Sequence, residues 1–361
     1  MYICFAFQYK PSVTANMFKV VCVVLWIIIR VNVANGTCTF SVFCDYGDDE
    51  DSVDGSQTCK SIETNTFEEL LSIKNAAYIR DLTVDNCLKD LKSGIFINIV
   101  NLNELNLENN EIDKVSVNCF NMSTLVTLRI TNSKIKTIEG KLGNLPKLLR
   151  LVLNNNKLTD FSSEVLSHPE TLRYLDLQTN KLTILTSDTF NGLKNLNSLN
   201  LAYNKINLIE PDSFSNLPRL NSITLTGNNI QTLTGNELPK SGFQHLKNLY
   251  LGDNRLMFLS ANFLSKLGTD VDIDIGGNPW HCRCLETMLK YFNNRRISIS
   301  TCDELLLARD DTPYCIQPSD TDCNYKYNLP LVHKYLKELK KNQNESRSNC
   351  LTTILAGVIL G

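Results

Sequence analysis

The sequence predicts an α/β solenoid, in which one short coil of chain is repeated and its strands form a single parallel β-sheet. The evidence is the segment Leu148–Leu158, where leucine and asparagine follow the spacing L-x-x-L-x-L-x-x-N-x-L. The same spacing begins, in full or weaker form, at Ile79, Leu102, Leu125, Leu148, Leu172, Leu196, Leu220, Leu246 and Asp270. Successive starts lie 23 to 26 residues apart. A constant period of this length indicates stacked coils, each in contact only with its neighbours.

This pattern resembles the leucine-rich repeat family over residues 79–325. The resemblance implies a curved horseshoe with the parallel sheet on its concave face and with disulfide-stapled caps at both ends. Caps are needed because the first and last coils have no neighbour to cover their apolar edges. The thirteen cysteines agree with this arrangement, since none lies between Cys119 and Cys282. Cysteines that cluster in flanking segments favour an oxidising, extracellular compartment.

Residues 1–36 are predicted to form a secretory signal peptide. Val20–Ile29 is a short apolar core that follows Lys19, and small residues up to Gly36 suit a cleavage site. The core is shorter than the roughly 20 residues that a membrane-spanning helix needs. Met17 is the expected true start, because it already opens a basic leader. The alternative is an uncleaved anchor with the rest of the protein outside the membrane.

Residues 37–78 are predicted to form the N-terminal cap, with Cys38, Cys44 and Cys59 as its disulfide candidates. The acidic run at 45–51 lies between these cysteines. We interpret it as a solvated loop, and the alternatives are docking of a basic partner and sulfation of Tyr46.

The repeats are predicted to occupy residues 79–277. In each coil the L-x-L core forms a short strand whose leucines point inward and whose x residues point outward. The asparagine position holds Asn110, Asn156, Asn180, Asn204, Asn228, Asn254 and Asn278. Because an amide side chain both donates and accepts, these residues can form a buried ladder that satisfies turn backbone groups. Cys87 and Ser133 occupy this position in their coils, and Cys87 is expected to be a buried free thiol.

A phenylalanine recurs in the second half of many coils, at Phe96, Phe120, Phe190, Phe214, Phe243 and Phe263. One large apolar residue at a recurring offset has to be buried. Segments such as 187–193 and 211–217 resemble the extracellular "typical" class of repeats. That resemblance implies a phenylalanine spine on the convex side.

Partner binding is expected at the outward strand positions of the concave face. These begin acidic, become basic at Arg129 and Arg150, continue with neutral and aromatic residues, and end acidic. Arginine and tyrosine are enriched at binding hot spots. The candidate contact residues are Arg129, Arg150, Tyr174, Asp176, Tyr203 and Tyr250. The alternative is that they are ordinary solvated surface.

Residues 278–325 are predicted to form the C-terminal cap. The segment N-P-W-H-C-R-C at 278–284, followed by Cys302, Cys315 and Cys323, resembles the flanking cap of extracellular leucine-rich repeat proteins. The resemblance implies that both cysteines of C-x-C bond later ones. Cys282 with Cys302 fits, and Cys284 is left with Cys315 or Cys323. Trp280 is expected to close the core, and the secreted context disfavours zinc as the role of C-x-C.

Residues 326–361 form a basic and polar tail that ends in the apolar segment Leu351–Gly361. A polar spacer before a short apolar end is the layout of a GPI-anchor signal. A truncated transmembrane segment and an ordinary tail are the alternatives. Sequons for N-glycosylation stand at Asn35, Asn121 and Asn344.

The sequence gives no reason to expect catalysis, a cofactor or a metal. The four histidines fall in different coils or flanks, and no phosphate-binding glycine loop is present. The formal net charge of −2 gives no reason to propose nucleic acid as a partner. Membrane contact is expected only through a C-terminal anchor.

The predicted function is therefore extracellular recognition of a protein ligand or co-receptor. Cap spacing and the acidic D-Y-G-D segment resemble arthropod leucine-rich immune proteins, and the repeats resemble Toll-type receptor ectodomains. The resemblance implies an innate-immune or signalling role for a secreted or surface-tethered protein. The alternatives are a tethered adhesion or developmental co-receptor and, less in keeping with the sequence, an enzyme inhibitor that wraps its target.

Overall fold

The computed structural model describes residues 27–33, 36–44, 79–99, 101–299 and 315–316, and side chains within 79–99, 101–299 and at 315. The strands, in chain order, are β1 (Ile27–Val33), β2 (Gly36–Cys44), β3 (Ile79–Asp85), β4 (Glu104–Glu108), β5 (Lys114–Val115), β6 (Thr127–Thr131), β7 (Thr137–Ile138), β8 (Arg150–Val152), β9 (Tyr174–Asp176), β10 (Ile184–Leu185), β11 (Ser198–Asn200), β12 (Leu208–Ile209), β13 (Ser222–Thr224), β14 (Asn248–Tyr250), β15 (Asp272–Asp274), β16 (Trp280–His281), β17 (Ser298–Ile299) and β18 (Cys315–Ile316). The helices are α1 (Ala261–Ser265) and α2 (Cys282–Arg295), with 3-10 turns at Ser163–Val165 and Pro169–Thr171. No helix within the described ranges is long and apolar enough to cross a membrane.

One sheet runs the length of the repeats, in the order β1-β2-β3-β4-β6-β8-β9-β11-β13-β14-β15-β17. From β3 onward the neighbouring strands are parallel, and each pairs with the strand one coil later. The predicted parallel-sheet solenoid is confirmed. Short parallel pairs, β5 with β7 and β10 with β12, join coils outside the main sheet.

The core consists of the inward residues of these strands. In β4, Leu105 and Leu107 are fully buried, whereas the alternate residues keep partial exposure. Burial on alternate residues follows from the two-residue period of a strand. Because every coil contributes similar leucines, the buried residues form one continuous cluster along the solenoid.

The asparagine ladder is confirmed by its hydrogen bonds. The Nδ2 of Asn180 donates to the carbonyl oxygens of Leu153 in the preceding coil and Leu177 in its own coil, both at 3.0 Å. Its Oδ1 accepts from the backbone amide of Leu158 at 3.0 Å. The other ladder asparagines make equivalent bonds, as Asn156 does with the carbonyl of Ile130 at 2.8 Å. Each amide therefore satisfies buried backbone groups of two adjacent coils.

The phenylalanine spine is present in two parts. Ring centroids lie 5.8 Å apart for Phe96 and Phe120, 6.0 Å for Phe190 and Phe214, and 6.3 Å for Phe214 and Phe243. Between Phe120 and Phe190 the buried residues at the same 22- to 24-residue intervals are Leu142 and Leu166. The smaller leucine side chains keep the core filled but interrupt the ring stacking.

Two antiparallel strands cover the N-terminal edge of the sheet. β2 pairs with β3, and β1 pairs with β2. An edge strand left open would offer unpaired backbone groups, so this cover serves as a cap. β2 contains Cys38 and Cys44, whereas Cys59 lies outside the described residues. β1 falls inside the predicted signal peptide, so cleavage of that segment stays a prediction.

The expectation for Cys87 was wrong, because this residue is disulfide-bonded rather than a free thiol. The physical reason is its place in the first coil, beside β3, where the neighbour is the cap instead of another coil. Its backbone amide is bonded at 2.9 Å by the Oδ1 of Asn110 from the next coil. The free cysteine among the described residues is the buried Cys119.

The C-terminal cap requires a second correction. Cys282 is bonded to Cys315, and not to Cys302 as the resemblance implied. β16 and β18 pair in parallel and place Trp280 opposite Cys315, so the Cα atoms of the two bonded cysteines lie 4.6 Å apart. Cys284 is also disulfide-bonded, which removes Cys315 from its candidates. Cys302 and Cys323 lie outside the described residues.

The tryptophan and one helix face of the C-terminal cap are buried as their sequence pattern predicts. Cys284, Met288 and Phe292 are four residues apart and form the buried face of α2. Trp280 is 3% exposed and its indole N–H donates to the carbonyl of Ile275 at 2.8 Å, as expected for a residue that closes the core. The outer limits of both caps, the signal peptide and the tail stay predictions.

Candidate functional site on the outer sheet face

The outer sheet face is the set of strand side chains that point away from the leucine core. It is organised in two rows, because equivalent positions of successive strands are paired in register. The first row is Asp81, Glu104, Thr127, Arg150, Tyr174, Ser198, Ser222, Asn248 and Asp272. The second row is Thr83, Asn106, Arg129, Val152, Asp176, Asn200, Thr224, Tyr250 and Asp274. These are the outward positions that the repeat spacing predicted.

The N-terminal end of the face is acidic. Asp81 and Glu104 are paired neighbours in the first row, and burial together with Glu104 raises the pKa of Asp81. Glu104 has partners: its Oε1 accepts from the Nε of Arg129 at 3.2 Å and from the amide of Asn106 at 3.0 Å. The charge of Arg129 is therefore balanced within the protein.

The centre of the face is built on Tyr174. The guanidinium carbon of Arg150 lies 4.5 Å from the centre of the Tyr174 ring, a cation–π distance. The Tyr174 hydroxyl donates to Asp176 Oδ2 at 3.3 Å, and Asp176 Oδ1 accepts from the amide of Gln178 at 2.9 Å. Burial raises the pKa of both Tyr174 and Asp176. The ring and the carboxylate thus form a fixed floor beneath Arg150.

The structure brings four of the six predicted contact residues together: Arg129, Arg150, Tyr174 and Asp176 lie on three adjacent strands. Tyr174 and Asp176 are each only 8% exposed, so they support the arginines more than they protrude. Tyr250 is three strands further along, or roughly 14 Å at the usual strand spacing.

Tyr203 does not lie on a strand of the face. It follows β11 in a left-handed turn, with φ of 54°, and its ring covers Gly227 of the next coil. A Cβ at Gly227 would lie 2.5 Å from the Cδ1 atom of Tyr203, so the glycine makes room for the ring. Binding by any of the six residues stays a prediction.

The C-terminal end of the face is acidic again. Asp272 and Asp274 follow Tyr250 in β15, and burial first, then these two carboxylates, raise the pKa of Tyr250. Asp272 accepts from the hydroxyl of Ser298 at 3.1 Å, and Asp274 accepts from the amide of Gly276 at 2.9 Å.

Several buried polar atoms on this face have no hydrogen-bond partner among the residues that the structure describes. Those on the two rows and the adjoining turn are Asp81 Oδ1, Asn106 Oδ1, Arg150 Nε, Asn154 Oδ1 and Ser222 Oγ. The others in the described chain belong to His281 and Arg295 of the C-terminal cap. Such groups are rare in folded proteins. Sequence reasoning missed Ser222 and Asn154, because a small polar residue at an outward position carries no distinctive signal.

Of the three predicted glycosylation sites, one lies among the described residues. Asn121 is exposed, and its Oδ1 accepts from the amide of Asn144 at 2.9 Å. Asn35 and Asn344 lie outside the described residues. No three His, Cys, Asp or Glu side chains cluster as metal ligands in the part of the chain described.

Comparisons with known proteins identify the repeats. A leucine rich repeat family model matches residues 123–182 and 170–230, and a model of the BspA type leucine rich repeat region (6 copies) matches residues 42–142. No protein of curated function matches the chain.

Solved structures with similar folds come from several organisms. Human trophoblast glycoprotein is 21% identical over 60% of this chain and 85% of its own, with a TM-score of 0.48. A leucine-rich repeat protein of Leptospira interrogans is 21% identical over 62% of this chain and 61% of its own, with a TM-score of 0.48. The Toll–Spatzle complex of Drosophila contains a chain that is 21% identical over 53% of this chain and 28% of its own, with a TM-score of 0.44.

The two family models together extend over residues 42–230, and the ladder and register continue the same coil to β15. The chain belongs to the leucine-rich repeat proteins.

Proposed function

We propose that this chain is an extracellular recognition protein that binds a protein partner on the outer sheet face. Leucine-rich repeat proteins typically bind other proteins. The observation that carries the proposal is the collection of unpartnered polar atoms on this face, including the Nε of Arg150. Burying a polar group without a hydrogen bond costs free energy. Because these atoms have almost no accessible surface, their side chains would turn toward a bound polypeptide to gain the missing partners.

We further propose that the protein is secreted and acts in innate immunity or signalling. The support is the sequence: an apolar leader, cysteines at both flanks, and a resemblance to arthropod leucine-rich immune proteins. The exposed side chain of Asn121 in a sequon suits a glycoprotein of the secretory pathway.

A partner-capture experiment tests the proposed binding face. The secreted chain, an Arg129→Glu/Arg150→Glu variant and a Lys181→Glu/Lys205→Glu control would each be crosslinked in their native extracellular fluid. Both control lysines are exposed and lie outside the two rows. We expect proteins captured by the wild type and the control to be lost from the face variant. An identical set from all three, with equal thermal stability, would reject the outer sheet face as the binding site.

A tethered co-receptor is the second candidate, favoured by the apolar segment Leu351–Gly361 behind a polar stretch. Mass spectrometry of the native protein distinguishes the two forms. An intact C-terminus on protein released into the medium would exclude the tethered form, whereas a lipid-linked residue upstream would establish it.

A further inference from the structure

We propose that Arg150 is the receptor for a single carboxylate of the partner polypeptide, and that basic residues flank this carboxylate. The proposal deepens the proposed function and rests on it. Arg150 is the centre of the argument because it differs from Arg129, the neighbouring arginine of the face.

Arg150 has no counter-ion within the described part of the chain. Arg129 is paired with Glu104 at 3.2 Å, whereas no carboxylate of the described residues lies within 4.0 Å of a nitrogen of Arg150. Its Nε is buried without a hydrogen-bond partner among the described residues, so an anion would bind the Nη groups at the tip of the side chain. The nearest acid along the face, Asp176, already accepts bonds from Tyr174 and Gln178. A partly buried cation with a free donor is a site at which an anion gains affinity.

The geometry favours a planar acceptor. The guanidinium carbon lies over the Tyr174 ring, 4.5 Å from its centre, and this contact restricts the side chain. An oriented guanidinium presents a fork of N–H donors that matches the two oxygens of a carboxylate. Because contact with the ring already limits the motion of the side chain, less side-chain entropy remains to be lost on binding.

The space beside this site suits an extended polypeptide. After Tyr174 the first row continues with Ser198 and Ser222, whose side chains are small, and the Oγ of Ser222 has no partner. A chain laid across the strands next to Tyr174 meets little steric obstruction there. The two serines would thus contact the residues next to the docked carboxylate.

The flanking charges define the partner more closely. Asp81 stands three strands before Arg150 in the first row, and Asp272 stands five strands after it. These intervals are roughly 14 Å and 24 Å at the usual strand spacing, or about four and seven residues of extended chain. A partner with basic residues at these distances from its carboxylate would be complementary along the whole row. A polyanion such as a sulfated polysaccharide would be repelled at both ends.

Selection of displayed random peptides on the full chain tests this. Peptides bound to wild type would be counter-selected against Arg150→Gln, and their affinities measured by fluorescence anisotropy. We expect the survivors to contain Asp or Glu, and to bind about tenfold more weakly when that residue is replaced by its amide. Arg150→Gln should give a matching loss, Arg150→Lys a smaller one, and Lys181→Gln none.

A charge-reversal variant of Arg150 shows whether a loss of binding is caused by misfolding. Arg150→Glu should select basic peptides in place of acidic ones, a result that an unfolded variant cannot give. A Ser198→Arg variant, which blocks the face beside Tyr174, separates this inference from the proposed function. Peptides blocked by Ser198→Arg but without an acidic residue would overturn the inference and leave the face as a binding site. If no selected peptide is blocked, both fail.

A heparin fragment serves as the second probe. If it binds in an Arg150-dependent manner and displaces the selected peptides, the ligand is a sulfated polysaccharide and the inference is wrong. Failure of heparin to bind while acidic peptides do would support it.

Discussion

One residue in each coil, directly before the ladder position, has a left-handed backbone. Its φ lies between 51° and 73° in every coil from β3 to β15. The residues are Asn86, Asn109, Asn132, Asn155, Thr179, Tyr203, Gly227, Asp253 and Gly277. Glycine, asparagine and aspartate adopt this conformation readily, whereas a β-branched residue is an outlier there. Thr179 therefore carries backbone strain.

We expect Thr179→Asn to raise the free energy of unfolding by about 1 kcal/mol, because asparagine tolerates the left-handed region better. Thr179 is exposed, so the substitution removes little packing. The measurement is chemical denaturation followed by circular dichroism. Asn155→Thr in the preceding coil is the reciprocal control and should destabilise. A change of the same sign in both variants would show that backbone strain is not the cause.

Asp176 should make stability depend on pH. Burial raises its pKa above the unfolded value, so the folded protein binds the proton more tightly. The resulting stabilisation is complete below the unfolded pKa of 3.8 and is lost as pH rises through the folded pKa. Asp176→Asn should accordingly be more stable than wild type near pH 7, with the difference shrinking toward about pH 4. Urea denaturation at both pH values measures this, with the exposed Asp188→Asn as control. An equal difference at both pH values would contradict it.

Residue placement was partly predictable. Counting positions within L-x-L put Arg129 and Arg150 on the face, because a strand alternates strictly. The same counting could not show that Tyr203 occupies the left-handed turn, since tyrosine gives no signal for that conformation. Nor could it show the burial of Tyr174, which depends on Arg150 from the neighbouring coil lying over its ring.

Among the elements, the C-terminal cap could be predicted from the sequence only in part. The N-P-W-x-C-x-C segment predicted the closing tryptophan. The disulfide partner of Cys282 depends on β18 lying in parallel beside β16. Each of these strands has only two residues and a long segment separates them, so they leave no periodic pattern in the sequence. The prediction of a free thiol at Cys87 was wrong for a related reason. The repeat position of Cys87 indicated a buried ladder residue, and the repeat spacing gives no sign of a disulfide partner.

Removal of the disulfide between Cys282 and Cys315 should loosen the C-terminal end of the solenoid. The variant Cys282→Ser/Cys315→Ser should lose about 2–4 kcal/mol of stability in the cap. Because coils contact only their neighbours, amide exchange should rise first in α2, β15 and β14 and remain unchanged in β4 and β6. Hydrogen exchange with mass spectrometry resolves the two regions in one sample. A uniform increase along the chain would instead mean that the solenoid unfolds as a single unit.

For the whole molecule, the period of 23 to 26 residues was sufficient to predict the solenoid, its sheet and its ladder. One irregularity of the ladder is visible in the sequence, and the structure shows its effect on the hydrogen bonds. The Oγ of Ser133 bonds the carbonyl of Thr131 in its own coil at 3.3 Å, and no bond of this side chain to the preceding coil is seen. The side-chain amide that joins other pairs of adjacent coils is therefore missing between the coils of Asn110 and Ser133.

Ser133→Asn should repair this junction. By analogy with the Asn156 bond to Ile130, the new Nδ2 would reach the carbonyl of Leu107, 26 residues earlier. We expect a gain of about 1 kcal/mol in the free energy of unfolding, the usual contribution of one added hydrogen bond. Asn180→Ser, which introduces the same gap elsewhere, is the matched control and should destabilise. If Ser133→Asn destabilises, the pocket at 133 is too small for an amide.

The ladder also determines how the chain would respond to mechanical load. Every asparagine bridges only adjacent coils, so the bonds that resist pulling on the two ends act in series instead of together. Tension would therefore peel the solenoid coil by coil, each step releasing about 80 Å of extended chain for a coil of 24 residues. A solenoid of this design yields gradually when its two ends are drawn apart.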